Sequence, residues 1–152
     1  MPGKQKLHTY RISKVIEAPL SFVYDWCTDF REDDGKLTGS RNKKKILEKT
    51  KSRVITTSSS MENGKLVGHV SIVTLMPPNA WYLDTAGNPK EQETGDYKLT
   101  KLGPNKTRLD MVFDVRYGAG ARVPTKVWWE KDSGKFWDKL IVALIKDYSK
   151  EK

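Results

Sequence analysis

Thr125 to Tyr148 reads TKVWWEKDSGKFWDKLIVALIKDY, and the spacing of its apolar residues decides the fold. Trp129, Phe136, Trp137, Leu140, Ile141, Leu144 and Tyr148 recur at steps of three and four, while Lys131, Lys135, Asp138, Lys146 and Ser149 take the opposite side. The pattern predicts one long amphipathic helix. At 1.5 Å per residue it runs roughly 35 Å, about the width of a small domain, so one short partner cannot cover its apolar stripe. A broad surface has to wrap it, and the chain ahead of it supplies one.

From Lys43 to Tyr117 the sequence reads as consecutive strands joined by tight turns. Lys43 to Lys49 and Arg53 to Ser60 turn at Thr50-Lys51. Asn63-Gly64 is a hairpin signal because both residues tolerate positive φ. Leu66 to Met76 follows and ends at Pro77-Pro78; then come Trp81 to Thr85 and Glu91 to Lys101, separated by Gly87-Asn88-Pro89. The cleanest alternation is in the last strand, where Leu109, Met111, Phe113, Val115 and Tyr117 interleave with Arg108, Asp110, Asp114 and Arg116. One face of it is buried and the other wet.

Ahead of these strands, Tyr10, Ile12 and Ile16 alternate with polar residues as in a half-buried strand. The strand stops at Ala18-Pro19, with Pro19 expected at the first helical position, where its missing N–H costs nothing. Phe22, Val23, Trp26, Cys27 and Phe30 share a face of the short helix that follows, and Arg31 to Ser40 is a polar connector with room for a second short helix. The expected fold class is α+β: a strongly curved seven-stranded antiparallel sheet around a long C-terminal helix, with two short helices between strands one and two, in one domain spanning residues 1–152.

The stretch Ile16-Glu17-Ala18-Pro19-Leu20-Ser21-Phe22-Val23-Tyr24-Asp25-Trp26-Cys27-Thr28-Asp29 resembles the opening signature of the START-like, polyketide-cyclase-like (SRPBCC) superfamily, whose helix-grip fold is that of the birch-pollen allergen. The order of elements extends this resemblance over nearly the whole chain. It implies a cavity between sheet and long helix, used by members for lipids, sterols, polyketides or other apolar molecules; a few members are cyclases or hydrolases, and some bind chaperones. One departure is visible. Pollen-allergen-like members carry a glycine-rich loop between strands two and three, where this chain has Lys49-Thr50-Lys51-Ser52, so that branch's ligands are not carried over.

Composition narrows the chemistry. In 152 residues Cys27 is the single cysteine, so no intrachain disulfide, thiolate cluster or redox pair can form. The longest apolar run, Leu140 to Ile145, is far below the roughly 20 residues that cross a bilayer, and the expectation is a soluble cytoplasmic protein. His8 and His69 sit in no catalytic motif, Cys27 reads as a packing group, and no phosphate loop, dinucleotide fingerprint or metal set occurs, so no catalytic residue, cofactor or metal is assigned. For the strand acids Asp84, Glu93 and Asp96 a solvated outer face is expected; turned inward, Asp84 or Glu93, with Tyr97, would be the acid or base of a cyclase-like enzyme.

The aromatic residues carry the functional expectation. Trp26, Trp81, Leu83, Tyr97, Leu99, Met111, Phe113, Trp129, Ser133, Phe136, Trp137 and Leu140 are expected to line a site for a hydrophobic small molecule, with Ser133 leaving room between Trp129 and Trp137. A net charge of +9 favours anionic partners. Arg41, Lys43, Lys44, Lys45, Lys49, Lys51 and Arg53 form a basic patch suited to an anionic membrane surface; nucleic acid is disfavoured because no aromatic residues interleave with it to stack on bases. The first reading is therefore binding or transport of a lipid-like molecule, the second a cyclase-like enzyme, and the third an interaction module such as a chaperone partner.

Overall fold

Strand alternation and helical periodicity translate into nine elements in the structure, a computed structural model that describes residues 6–30, 43–62, 64–87 and 91–151. They are β1 (Leu7–Ile16), α1 (Leu20–Thr28), β2 (Lys43–Lys49), β3 (Arg53–Glu62), β4 (Lys65–Met76), β5 (Ala80–Ala86), β6 (Glu91–Gly103), β7 (Lys106–Tyr117) and α2 (Lys126–Lys150). The expected second short helix falls on 31–42, outside the described residues. All seven strands join one antiparallel sheet in the order β1-β7-β6-β5-β4-β3-β2. Consecutive strands from β2 to β7 are hairpin neighbours, and β1 closes the order by pairing with β7 from Leu7↔Arg116 to Ile16↔Thr107.

Side-chain parity fixes which face is inside. In β7 every second residue, Thr107, Leu109, Met111, Phe113, Val115 and Tyr117, is buried. Antiparallel partners share a face, so pairing carries this inner face to Ile12, Tyr97, Trp81 and Leu75, and from Leu83 to Val73 and Val54. The inner face closes through α1 and α2, which lie against it. Leu144 of α2 is fully enclosed, and Trp129, Trp137, Ile141 and Tyr148 pack against the same core.

α1 begins one residue later than the sequence suggests. Pro19 is its N-cap in extended conformation, and the Pro19 carbonyl accepts the Val23 N–H at 3.0 Å. Thr125 caps α2 with its side chain, accepting from the Trp128 N–H at 3.2 Å. The helices tie together where the Trp26 Nε1 donates to Asp147 Oδ2 at 2.9 Å and Phe22 packs on Tyr148. Along the other flank of α2, Glu130 accepts from the Arg11 N–H at 2.7 Å, and Lys14 Nζ donates to Asp138 Oδ1 at 2.7 Å. Asp138, expected on the solvent side, is thus turned to β1. Phe136, expected on the buried stripe, is 47 % exposed. The helix leans toward β1, which covers the Glu130, Gly134 and Asp138 side and leaves the Phe136 side open.

Candidate functional site

The inner face is aromatic at its centre because β5, β6 and β7 place one ring each at adjoining positions. Trp81 stacks on Tyr97 with centroids 4.9 Å apart, Tyr97 meets Phe113 edge-on at 5.5 Å and Trp137 at 6.0 Å, and Phe113 reaches Trp129 at 5.2 Å. Leu99 and Met111 are fully enclosed beside them. These seven residues, expected to line a ligand site, therefore pack largely on one another. Leu83, Ser133 and Leu140 are half-buried, and Phe136 stands at the rim. Trp26, engaged with Asp147, belongs to the seam between the two helices and not to the sheet face.

Gly95 shapes this centre. It occupies an inner-face position of β6, paired with Phe113 and Leu83. A Cβ there would lie 3.0 Å from Tyr97 Cε2 and 3.2 Å from Phe113 Cδ1, so the two rings occupy the space a side chain would take. The Tyr97 ring therefore reclines along its strand over Gly95, in the direction of Glu93.

Glu93 is the correction that matters most for chemistry. It pairs with Val115, which is 1 % exposed, so its side chain is on the inner face and not the solvated one. Asp84 and Asp96, of opposite parity, point outward. Burial, reinforced by the charge of Glu91, pushes the Glu93 carboxyl up to about 7. Its backbone is held by Thr85, whose Oγ1 donates to the Glu93 carbonyl at 2.8 Å and accepts from the Glu93 N–H at 3.0 Å. Tyr97 is raised above the usual tyrosine range by burial, then by the charge of Glu93 and of Cys27. Cys27 itself is pushed up to about 12 by burial, which leaves it protonated and unreactive at neutral pH.

Towards the ends of the strands the inner face turns polar. Ser58, His69, Ser71 and Thr85 share it by register, all half-buried. At the β1 side, the Tyr10 and Tyr117 hydroxyls lie 3.0 Å apart and His8 packs edge-on against Tyr117. Sequence reasoning passed over Ser58, Ser71 and Thr85, although their alternation with Val54, Val73 and Leu83 carries the signal. Among the described residues no group of three or more His, Cys, Asp or Glu side chains converges as a metal site requires. None of the helices described is long and apolar enough to cross a membrane.

Among the described residues the basic stretch does not form one face. Arg41 lies outside the described residues, and Lys43 is described as β2 backbone only. Lys44 sits over the Phe30 ring at 5.1 Å, and Lys49 donates to Asp29 Oδ1 and the Phe30 carbonyl, each at 3.0 Å. Both lie by register on the inner side of β2, next to the end of α1, with the Lys49 side chain still 44 % exposed. Arg53 forms a bidentate pair with Glu48, at 2.7 and 3.3 Å. Lys45, Lys49, Lys51 and Arg53 remain exposed, and by register the described lysines of β2 are spread over both faces of the sheet.

Comparison with known proteins separates fold from sequence. No protein-family model matches the chain, and no curated protein sequence does so either. Solved structures match over nearly all of it. Ara h 8.0201 superposes with a TM-score of 0.72 at 12 % identity, covering 93 % of this chain and 99 % of its own. The Zhui aromatase/cyclase from Streptomyces sp. R1128 gives 0.69 at 13 % identity, covering 93 % of each chain. A START superfamily protein from Mycobacterium smegmatis gives 0.65 at 17 % identity, covering 95 % of this chain and 99 % of its own. With its sheet order, its long C-terminal helix and these superpositions, the chain has a helix-grip fold like that of these three structures.

Proposed function

We propose that the chain binds a hydrophobic small molecule, a lipid or a polycyclic compound, between the inner sheet face and α2. The observation that supports this reading is the change in character along that face. Its centre is sealed by stacked rings, whereas Leu83, Thr85, Ser71 and Glu93 beside it keep part of their surface accessible. Inward side chains that stay partly accessible are ones a ligand would cover, and each buried methylene would contribute roughly 0.8 kcal/mol. Structural neighbours that include an aromatase/cyclase and a START superfamily protein are in keeping with it. Titration with pyrene tests the reading: saturable binding near one-to-one supports it, and binding that never saturates, or none, removes it.

A second reading has one observation in its favour. An acid near 7 on the inner face, Glu93, suits general acid or base work on a bound polyketide-like chain, as in a cyclase. Turnover abolished by Glu93→Gln with binding retained would establish this reading; binding without turnover leaves the first.

A further inference from the structure

Glu93 and Tyr97 stand four residues apart on one face of β6, with only Gly95 between them. The Tyr97 ring reclines over that glycine toward Glu93, held by Trp81 on one side and Phe113 on the other. Among the described residues neither the Glu93 carboxyl nor the Tyr97 hydroxyl has a hydrogen-bond partner, although Tyr97 is only 8 % exposed. Thr85, the nearest polar side chain by register, is committed to the Glu93 backbone. Neither group is fully enclosed, so both stay within reach of a ligand that bonds them.

Resting on the ligand-binding reading above, we propose that Glu93 and Tyr97 form a two-point anchor for the hydroxyl of a neutral polycyclic alcohol or phenol. A hydroxyl is the group that satisfies both at once: its hydrogen is donated to the Glu93 carboxylate while its oxygen accepts from the Tyr97 hydroxyl. The partly accessible Leu83 and Trp137 at the margin of the sealed ring cluster favour an apolar body behind that hydroxyl. A ligand carboxylate would bring a further negative charge beside Glu93 and Glu91, so acidic amphiphiles are selected against. The site thus prefers sterol-like or phenolic molecules to fatty acids.

Three probes with one ring system test this: pyrene, 1-hydroxypyrene and 1-pyrenecarboxylate, titrated by fluorescence at neutral pH. The parent protein is expected to bind 1-hydroxypyrene about tenfold more tightly than pyrene, and 1-pyrenecarboxylate more weakly than either. Tyr97→Phe, which keeps the ring stack, should cut the ratio of 1-hydroxypyrene to pyrene affinity to about threefold or less. Glu93→Gln should raise the affinity for 1-pyrenecarboxylate about fivefold. Equal binding of pyrene and 1-hydroxypyrene by the parent overturns the anchor while leaving an apolar site intact. Saturable binding of none of the three overturns the anchor and the binding reading together. A hydroxyl advantage undiminished in Tyr97→Phe, or a carboxylate affinity unchanged in Glu93→Gln, places the polar contact elsewhere and also overturns it.

Discussion

Trp129 of α2 lies flat against Tyr10 of β1, the ring centroids 4.1 Å apart and the planes within 11°. Tyr10 is buried and its hydroxyl meets that of Tyr117, so this stack pins the first turn of the long helix to the sheet edge. The neighbouring Trp128 is 57 % exposed and has no such role. Trp129→Ala should therefore cost about 2–3 kcal/mol in denaturant melts, and Trp128→Ala less than about 0.5 kcal/mol. Equal losses would mean the stack does not hold the helix.

Gly95→Ala should destabilise the protein by about 1–3 kcal/mol, since the added methyl meets two ring edges that neighbours hold in place. The companion change Gly95→Ala with Tyr97→Leu, which removes one of those rings, should recover part of the loss. Additive losses in the double variant would contradict the crowding.

Tyr24 illustrates an opposite effect. Its hydroxyl is buried on α1 with no partner among the described residues, while its ring meets Trp81 edge-on with centroids 6.0 Å apart. Burial raises its pKa, with Asp25 adding to the effect. Tyr24→Phe keeps the ring and removes an unsatisfied group, so stability should hold or rise by about 1 kcal/mol. A loss above about 1 kcal/mol would show that the hydroxyl is bonded in solution.

The long helix and β7 were legible because both repeat one period over many residues, and a period assigns faces without knowing the partner. Phe136 was misplaced because periodicity fixes an angular sector of the helix, not how far the sheet covers it; the pull of Lys14 on Asp138 and of the Arg11 amide on Glu130 rolls the helix toward β1. A bulge between Ile46 and Glu48 shifts the register, so Lys44 before it and Lys49 after it both face inward. Glu93 was readable, since the alternation that places Tyr97 and Leu99 inside places Glu93 there as well; the general preference of carboxylates for water argued otherwise.

Glu93 also predicts a pH dependence. Its folded pKa, about 7, lies above the ordinary value of 4.5, so its contribution to stability is fully present below about 4.5 and is lost as pH rises to about 7. The charged form is disfavoured by burial and by Glu91 on the same strand, with the Tyr97 and Tyr117 hydroxyls as the other ionisable groups coupled to it. Between pH 5 and 8 the parent's melting temperature should fall more than that of Glu93→Gln, and the variant should be the more stable of the two at pH 8. Parallel profiles for the two proteins would place the Glu93 carboxyl in water.

The most direct test of ligand binding between sheet and helix is where a bound probe makes its contacts. Nuclear Overhauser effects measured between pyrene and the isotopically labelled protein should appear at the Leu83 and Leu140 methyls and at Trp137. Effects confined to Val127, Trp128 and Val142, which are exposed on α2, would show the probe adhering to the outside of the helix and would contradict a site on the inner face.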